Sequence, residues 1–174
     1  LRSQAILTTV KTVIKDNPRL TVRKKNKIIK FIPTIIIDRL CKIPLNSKIL
    51  KDISKKRIII FTSYKGKKIE YLKRLGCEII LMKKQKNKLY NLKTVLEKIY
   101  KLKINDILVE AGGIFFTHLL NSGLVDELHL FNSNIKIGDK GKQFIINDQL
   151  ENYNFSEVMR KKIKNDVYQY LKIN

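Results

Sequence analysis

Short runs of β-branched, apolar residues alternate along this chain with stretches whose apolar positions recur every three or four residues. The runs predict strands over residues 5–10, 32–38, 57–62, 77–81, 107–110 and 127–131. The helical spacing predicts a helix over residues 65–75, with Ile69, Leu72 and Leu75 on one face and Gly76 as its stop. A second helix starts at Asn91, a natural N-cap, and runs to Lys101, burying Leu92, Val95, Leu96 and Ile99. A third covers residues 114–120 and stops at Gly123. Strand–helix–strand units of this kind imply an α/β fold with a mostly parallel sheet covered by helices. Ligands of such a sheet sit beyond the carboxyl ends of its strands. After Gly138 the pattern changes. Two runs, residues 155–159 and 167–173, flank the polar residues 161–165 and predict an antiparallel, hairpin-like finish. Residues 83–88 form a basic run of solvated-loop type.

Residues 107–127 carry the most specific local pattern. An apolar run ends at Glu110, passes through Ala111, Gly112 and Gly113, and opens a helix. The two glycines let the backbone turn tightly and approach a ligand closely. Free N–H groups at a helix start attract phosphate. The layout predicts a phosphate-bearing ligand beside Glu110. The run is neither a G-x-G-x-x-G fingerprint nor a Walker loop, so it names a ligand class and no reaction.

Composition narrows the class. The 174 residues, 44% of them hydrophobic, suit one domain with a sizeable core. No apolar run approaches the roughly 18 residues of a membrane span, and no charged-then-apolar leader opens the sequence, which points to the cytoplasm. The sequence opens on Leu1-Arg2-Ser3-Gln4 without Met and reads as part of something longer. The formal charge is +22, from 37 basic and 15 acidic residues. The lysines are spread along the chain and, with abundant Ile and Asn, match the coding bias of an AT-rich genome. A positive field would still gather anionic substrates. A basic nucleic-acid-binding module is the second reading. It needs aromatics interleaved with clustered cations, whereas Tyr64, Tyr71, Tyr90 and Tyr100 are scattered. Cys41 and Cys77 lie in or beside apolar runs and read as buried free thiols; no residue set suggests a metal site.

A second constellation lies near the start. Asp16-Asn17-Pro18 is turn chemistry leading into alternating Leu20 and Val22, with Arg23 beyond them. The planar fork of Arg23 suits a phosphate or carboxylate. Four motifs follow in order: Thr-Val-x-x-Asp-Asn-Pro-x-Leu-Thr-Val-Arg from Thr12 to Arg23, Ile-Asp-x-x-x-x-Ile-Pro-Leu-Asn-Ser from Ile37 to Ser47, Val-Glu-Ala-Gly-Gly from Val109 to Gly113, and Gly-Leu-Val-Asp-Glu-Leu from Gly123 to Leu128. Together they resemble the reductase domain of riboflavin biosynthesis, the C-terminal half of the bifunctional deaminase–reductase, from Arg2 to near the C-terminus.

That resemblance implies a dihydrofolate-reductase-like three-layer fold with a mixed, mostly parallel sheet. It implies NADPH-dependent reduction of 5-amino-6-(5-phosphoribosylamino)uracil to its ribitylamino product, in a cytoplasmic homodimer, with no membrane and no specific nucleic acid as partner. By motif, Arg2, Leu20, Arg23 and Glu110 would contact the substrate. Thr12, Asp16, Gly112, Gly113, Ile114, Phe115, Phe116, Thr117 and His118 would contact the cofactor. No catalytic side chain follows from the motifs. His118 falls in the cofactor stretch by position only, and His129, in a strand, reads as structural. The sequence departs from the family pattern at Lys11, where a small residue is usual, and at Arg39, where a cofactor-contacting Ser is common. Arg39 would either clash with the cofactor or meet one of its phosphates. The family's opening strand would precede Leu1, and the zinc deaminase signatures are not in this sequence. A catalytically weakened ligand-binding relative is the third reading.

Overall fold

The computed structural model describes residues 2–83, 90–135, 141, 145 and 153–173. Most of the basic run predicted at residues 83–88, and Gly138, lie outside the described residues. The chain forms two compact units, Leu1–Gly112 and Gly113–Asn174.

The first unit is built on a parallel sheet. Its strands are β1 (Ala5–Thr9), β4 (Thr34–Ile37), β5 (Ile58–Thr62), β6 (Glu78–Leu81) and β7 (Ile107–Val109), in the order β6-β5-β4-β1-β7. Every pairing in this sheet is parallel, for instance Ile6 with Thr34, Ile35 with Ile59 and Ile60 with Ile79. All five residues of β5 are buried, so both faces of the sheet are covered there. That is why these strands read in the sequence as continuous apolar runs rather than alternating ones. A short antiparallel hairpin, β2 (Thr21–Lys24) with β3 (Lys27–Phe31), intervenes between β1 and β4. Lys25 and Asn26 turn it in the left-handed region, at φ 46° and 63°. The helices of this unit are α1 (Val10–Asp16), α2 (Lys48–Lys51), α3 (Lys67–Arg74) and α4 (Leu92–Lys101).

The two long helices follow their sequence signals. α3 buries Ile69 and Leu72, with Leu75 half-buried just beyond it, and Gly76 follows at φ +102°. α4 starts at Asn91, whose side chain accepts a hydrogen bond from the Thr94 N–H at 3.1 Å. Leu92, Val95 and Ile99 are buried; Leu96 is only half-buried. Losing this cap costs about 1 kcal/mol. Asn91→Ala is therefore expected to lower Tm by a few degrees in a thermal melt, with no change in ligand affinity.

Some boundaries shift, two of them for identifiable reasons. The first strand ends at Thr9, one residue early, because Val10 opens α1. The strand expected over residues 32–38 is confined to Thr34–Ile37, since Pro33 has no N–H to give to a ladder.

The second unit holds α5 (Gly113–Asn121) and a three-stranded antiparallel sheet of order β8-β10-β9. β8 is Glu127–Asn132, β9 Phe155–Ile163 and β10 Asp166–Ile173. The hairpin of β9 and β10 is longer than its two apolar runs suggested. It turns on two residues, with Lys164 at φ 53°. The parallel and antiparallel parts of the expected architecture are thus divided: the parallel strands share one sheet, and the antiparallel strands form sheets of their own. No helix among the described residues is long and apolar enough to cross a membrane.

Candidate active site at the carboxyl edge of the parallel sheet

The carboxyl ends of β1 and β7 lie side by side, because these two strands pair directly. Glu110 extends that pairing one residue beyond β7. Its N–H donates to the Leu7 carbonyl at 2.9 Å, and its carbonyl accepts from the Thr8 hydroxyl at 2.7 Å. The backbone of Glu110 is therefore fixed, while its side chain projects from the end of the strand. The carboxylate has no hydrogen bond or ion pair with any described residue. The residue is exposed, yet enough protein surrounds the carboxyl to raise its pKa above the ordinary range by desolvation. A carboxylate held in this way, with the cost of lost water and no protein partner, is a mark of a ligand site. Next to it, β1 runs into α1, where the Thr9 and Thr12 hydroxyls lie 3.3 Å apart.

The other half of the edge is formed by β4, β5 and β6. Asp38 ends β4 fully buried, and its carboxylate oxygens accept the Lys42 and Ile43 N–H groups, both at 2.8 Å. Burial pushes the Asp38 pKa upward and the two N–H groups oppose it. The carboxylate thereby shapes the turn through Cys41, which sits at φ 54°. The turn is tied to the end of β5: the Ser63 N–H and the Thr62 hydroxyl both donate to the Arg39 carbonyl, at 3.1 and 3.3 Å. The Ser63 hydroxyl shares a 2.9 Å hydrogen bond with Tyr90. These ties frame a cavity of about 770 Å³. Arg39, Ser63, Tyr64, Lys65 and Lys83 give it a cationic, hydrogen-bonding side, and Leu81 belongs to its apolar side.

A separate cavity of about 520 Å³ opens where α1 ends. Asp16, Pro18, Arg19, Arg23, Lys48 and Lys51 line it. Its wall is braced from below. Arg19 forms a two-pronged ion pair with Asp52, at 2.9 and 2.5 Å, which holds the Asp52 carboxyl below the usual range. Lys56, nearly buried, donates to the carbonyls of Arg19 and Leu20 and to the Thr34 hydroxyl. Burial pulls its pKa down to about 8.

The expected site residues are thus distributed. Thr12, in α1 after β1, and Glu110, just after β7, follow the ends of two paired strands. Asp16 and Arg23 share the second cavity. Leu20, at φ 48°, packs against the core with its carbonyl on Lys56. Gly112 faces open space, with nothing within 4 Å of where a Cβ would stand. Of the α5 residues, Ile114 is exposed, Phe115 and Thr117 are buried, and Phe116 and His118 are half-buried. Arg2 lies at the opposite, amino-terminal edge of the sheet, 3.6 Å from Asp106. His129 bonds Tyr168 at 2.8 Å and stacks on Tyr170, in keeping with a structural role. Both cysteines are buried free thiols, and burial drives Cys77 up to about 12. Among the described residues no acidic, His and Cys group could hold a metal. Lys48, Lys51, Lys65 and Ser63 were not legible as site residues; only the fold gathers them.

Comparison with known proteins identifies the family. Residues 1–168 match the family described as the RibD C-terminal domain. The riboflavin biosynthesis protein RibD of Aquifex aeolicus is 34% identical over 149 residues, which are 79% of this chain and 38% of that protein. The chain therefore spans well under half of that relative's length. The 5-amino-6-(5-phosphoribosylamino)uracil reductase of Buchnera aphidicola from Acyrthosiphon pisum is 30% identical over 152 residues, 81% of this chain and 70% of that protein. Among solved structures, form 2 of Acinetobacter baumannii RibD superposes with a TM-score of 0.81 at 24% identity, covering 99% of this chain and 47% of that one. That likeness concerns the fold.

Proposed function

Because the chain belongs to the RibD C-terminal domain family, we propose that it reduces 5-amino-6-(5-phosphoribosylamino)uracil to 5-amino-6-(5-phosphoribitylamino)uracil, with NADPH as the reductant. The observation that carries this reading is Glu110: a desolvated carboxylate with no hydrogen bond or ion pair among the described residues, at the carboxyl ends of two adjacent parallel strands. A carboxylate there accepts hydrogen bonds from the N–H and O–H donors of a pyrimidine or ribose.

The residues present fit the cofactor. From β7 to β5 the edge spans three strand spacings, on the order of 15 Å, so an extended dinucleotide can run along it. Its adenosine end suits the cavity at Arg39, Ser63 and Lys65, where the cations answer a 2′-phosphate and Leu81 supports a base. When bound, the nicotinamide supplies hydride to C1′ of the ring-opened ribose. The protein's own task is to orient the two ligands and keep the edge dry. Thr12 stands beside the β1 end as a cofactor contact and Glu110 holds the substrate. For Gly113, Ile114, Phe115, Phe116, Thr117 and His118 on α5, the assignment to the cofactor rests on the family resemblance.

Calorimetric titration with NADPH and NADH tests the reading, beside an assay of NADPH oxidation with the phosphoribosylamino-pyrimidine. We expect saturable binding that favours NADPH. Arg39→Ala should narrow that preference by about 10- to 150-fold, the worth of a charge-assisted contact of roughly 1.5–3 kcal/mol, and leave NADH affinity alone. A parent chain that binds neither dinucleotide would overturn the assignment. An unchanged preference in the variant would place the 2′-phosphate elsewhere.

A further inference from the structure

Lys56 sits inside the fold with every donor in use. It is 7% exposed, and its Nζ donates to the Arg19 carbonyl at 2.6 Å, the Leu20 carbonyl at 3.2 Å and the Thr34 hydroxyl at 3.1 Å. An ammonium has three donors and no acceptor, so the set is complete. Two consecutive carbonyls converge on one cation, and Thr34 ties that cation to the first residue of β4. An apolar side chain would fill the same place without the desolvation that a charge incurs.

The segment held by Lys56 has little else to fix its path. Leu20 stands at φ 48°, in the left-handed region that disfavours a side chain. β2 starts at the next residue, pairs with β3 and joins no strand of the parallel sheet. Asp52 holds the Arg19 side chain, whereas Lys56 holds the backbone itself. That backbone leads through Leu20 to Arg23, the two residues of the segment that the family motif assigns to the substrate. The charged groups facing Lys56 are Asp52, which favours its proton, and Arg19, which opposes it; β4 presents the uncharged Thr34 hydroxyl.

We propose that Lys56 is a positioning residue for the substrate: its three donors fix the path of residues 19–23, so that it sets KM without touching the ligand. The inference rests on the reductase reading, with Leu20 and Arg23 as substrate contacts. One consequence separates this role from a purely structural one. Burial brings the Lys56 pKa down to about 8. Above that pH the unfolded chain keeps a proton that the folded chain has lost, so the contribution of Lys56 to stability grows as pH rises toward the ordinary lysine value. Its grip weakens over the same window, since a neutral amine has two N–H groups for three acceptors and gives up the assistance of its charge. Stability and grip thus move in opposite directions. A lysine kept for the fold alone would move stability and leave KM where it was.

The test is steady-state kinetics of the full chain with the phosphoribosylamino-pyrimidine and saturating NADPH, at about pH 7 and about pH 9.5, on either side of the Lys56 pKa. In Lys56→Met at the lower pH, KM should rise roughly tenfold, the factor of one hydrogen bond to a charged group, while kcat holds. In the parent, the rise in KM between the two pH values should exceed several-fold that of Lys56→Arg, whose guanidinium stays charged throughout. Hydrogen exchange over residues 19–23, corrected for its intrinsic rate, should lose protection at the higher pH in the parent and keep it in Lys56→Arg. A folded Lys56→Met variant with parental KM, or with a loss confined to kcat, overturns the inference; so does a pH dependence of KM that Lys56→Arg shares in full. If Lys56→Met does not fold, the comparison of parent with Lys56→Arg decides. If the parent turns over nothing, the reductase reading fails, and exchange alone judges the clasp: equal protection in parent and Lys56→Arg at the higher pH overturns it.

Discussion

Glu110→Gln is expected to lower kcat/KM for the phosphoribosylamino-pyrimidine by about 10- to 150-fold, while Tm at neutral pH stays level or rises. The first half follows from what the substitution does to the carboxylate. Glutamine keeps the shape, removes the charge and turns one acceptor into a donor, at a cost of roughly 1.5–3 kcal/mol in the transition state. The second half follows from linkage. Desolvation raises the folded-state pKa of Glu110 above its unfolded value. Its contribution to stability is then fully present below the unfolded pKa and is lost as pH rises through the folded one. At neutral pH the ionised group is a burden on the fold that glutamine lifts. Melting curves near neutrality and near pH 4, about the unfolded carboxylate value, should show any gain only at the higher pH. A drop in Tm near neutrality, or parental turnover, would assign Glu110 to the architecture instead.

Asp38→Ala is expected to act in the other direction, through stability. Its two carboxylate oxygens each take one backbone N–H in a site with no solvent exposure. Alanine leaves the Ile43 N–H buried without an acceptor, at about 1–3 kcal/mol, and also removes the acceptor for Lys42. The sum is about 2–4 kcal/mol, a fall in Tm of roughly 5–15 °C for a chain of this size. Because the Arg39 carbonyl joins this turn to Thr62 and Ser63, NADPH affinity should fall with it. Asp38→Asn keeps one acceptor and should lie between parent and alanine variant. If Asp38→Ala melted with the parent, the turn would owe its shape to something other than its carboxylate.

The strands were legible because burial on both faces demands unbroken β-branched runs such as Ile58-Ile59-Ile60, and the polar positions between runs mark the connections. α3 and α4 were legible because each buries one stripe. α1 was not. It buries Val13 alone, and its Val10, Thr12, Val13 and Ile14 carry the propensity of a strand. Its tertiary place overrides that preference, although Asn17 and Pro18 did mark its end. The β2–β3 hairpin was hidden for a different reason: its strands are largely exposed, so apolar alternation is weak, and its turn uses Lys25-Asn26 in place of a glycine.

At the site, Glu110 stood out because the apolar run it ends leads straight into two glycines and a helical pattern. Lys48 and Lys51 could not stand out in a chain with 37 basic residues. Their significance lies in which other cations the fold brings beside them, and that is a property of how α1 and α2 meet.

The left-handed turns have a corollary for stability. Leu20, Lys25, Cys41, Lys103 and Lys164 all occupy a backbone region that glycine enters freely and that costs other residues about 1 kcal/mol. At Lys25, Lys103 and Lys164 glycine would adopt the same backbone conformation without that cost. Leu20 and Cys41 differ, since they sit in the two segments that present Arg23 and Arg39. Substitution by glycine at Lys25, Lys103 and Lys164 would relieve local backbone strain. At the other two it would also loosen the segments that present Arg23 and Arg39.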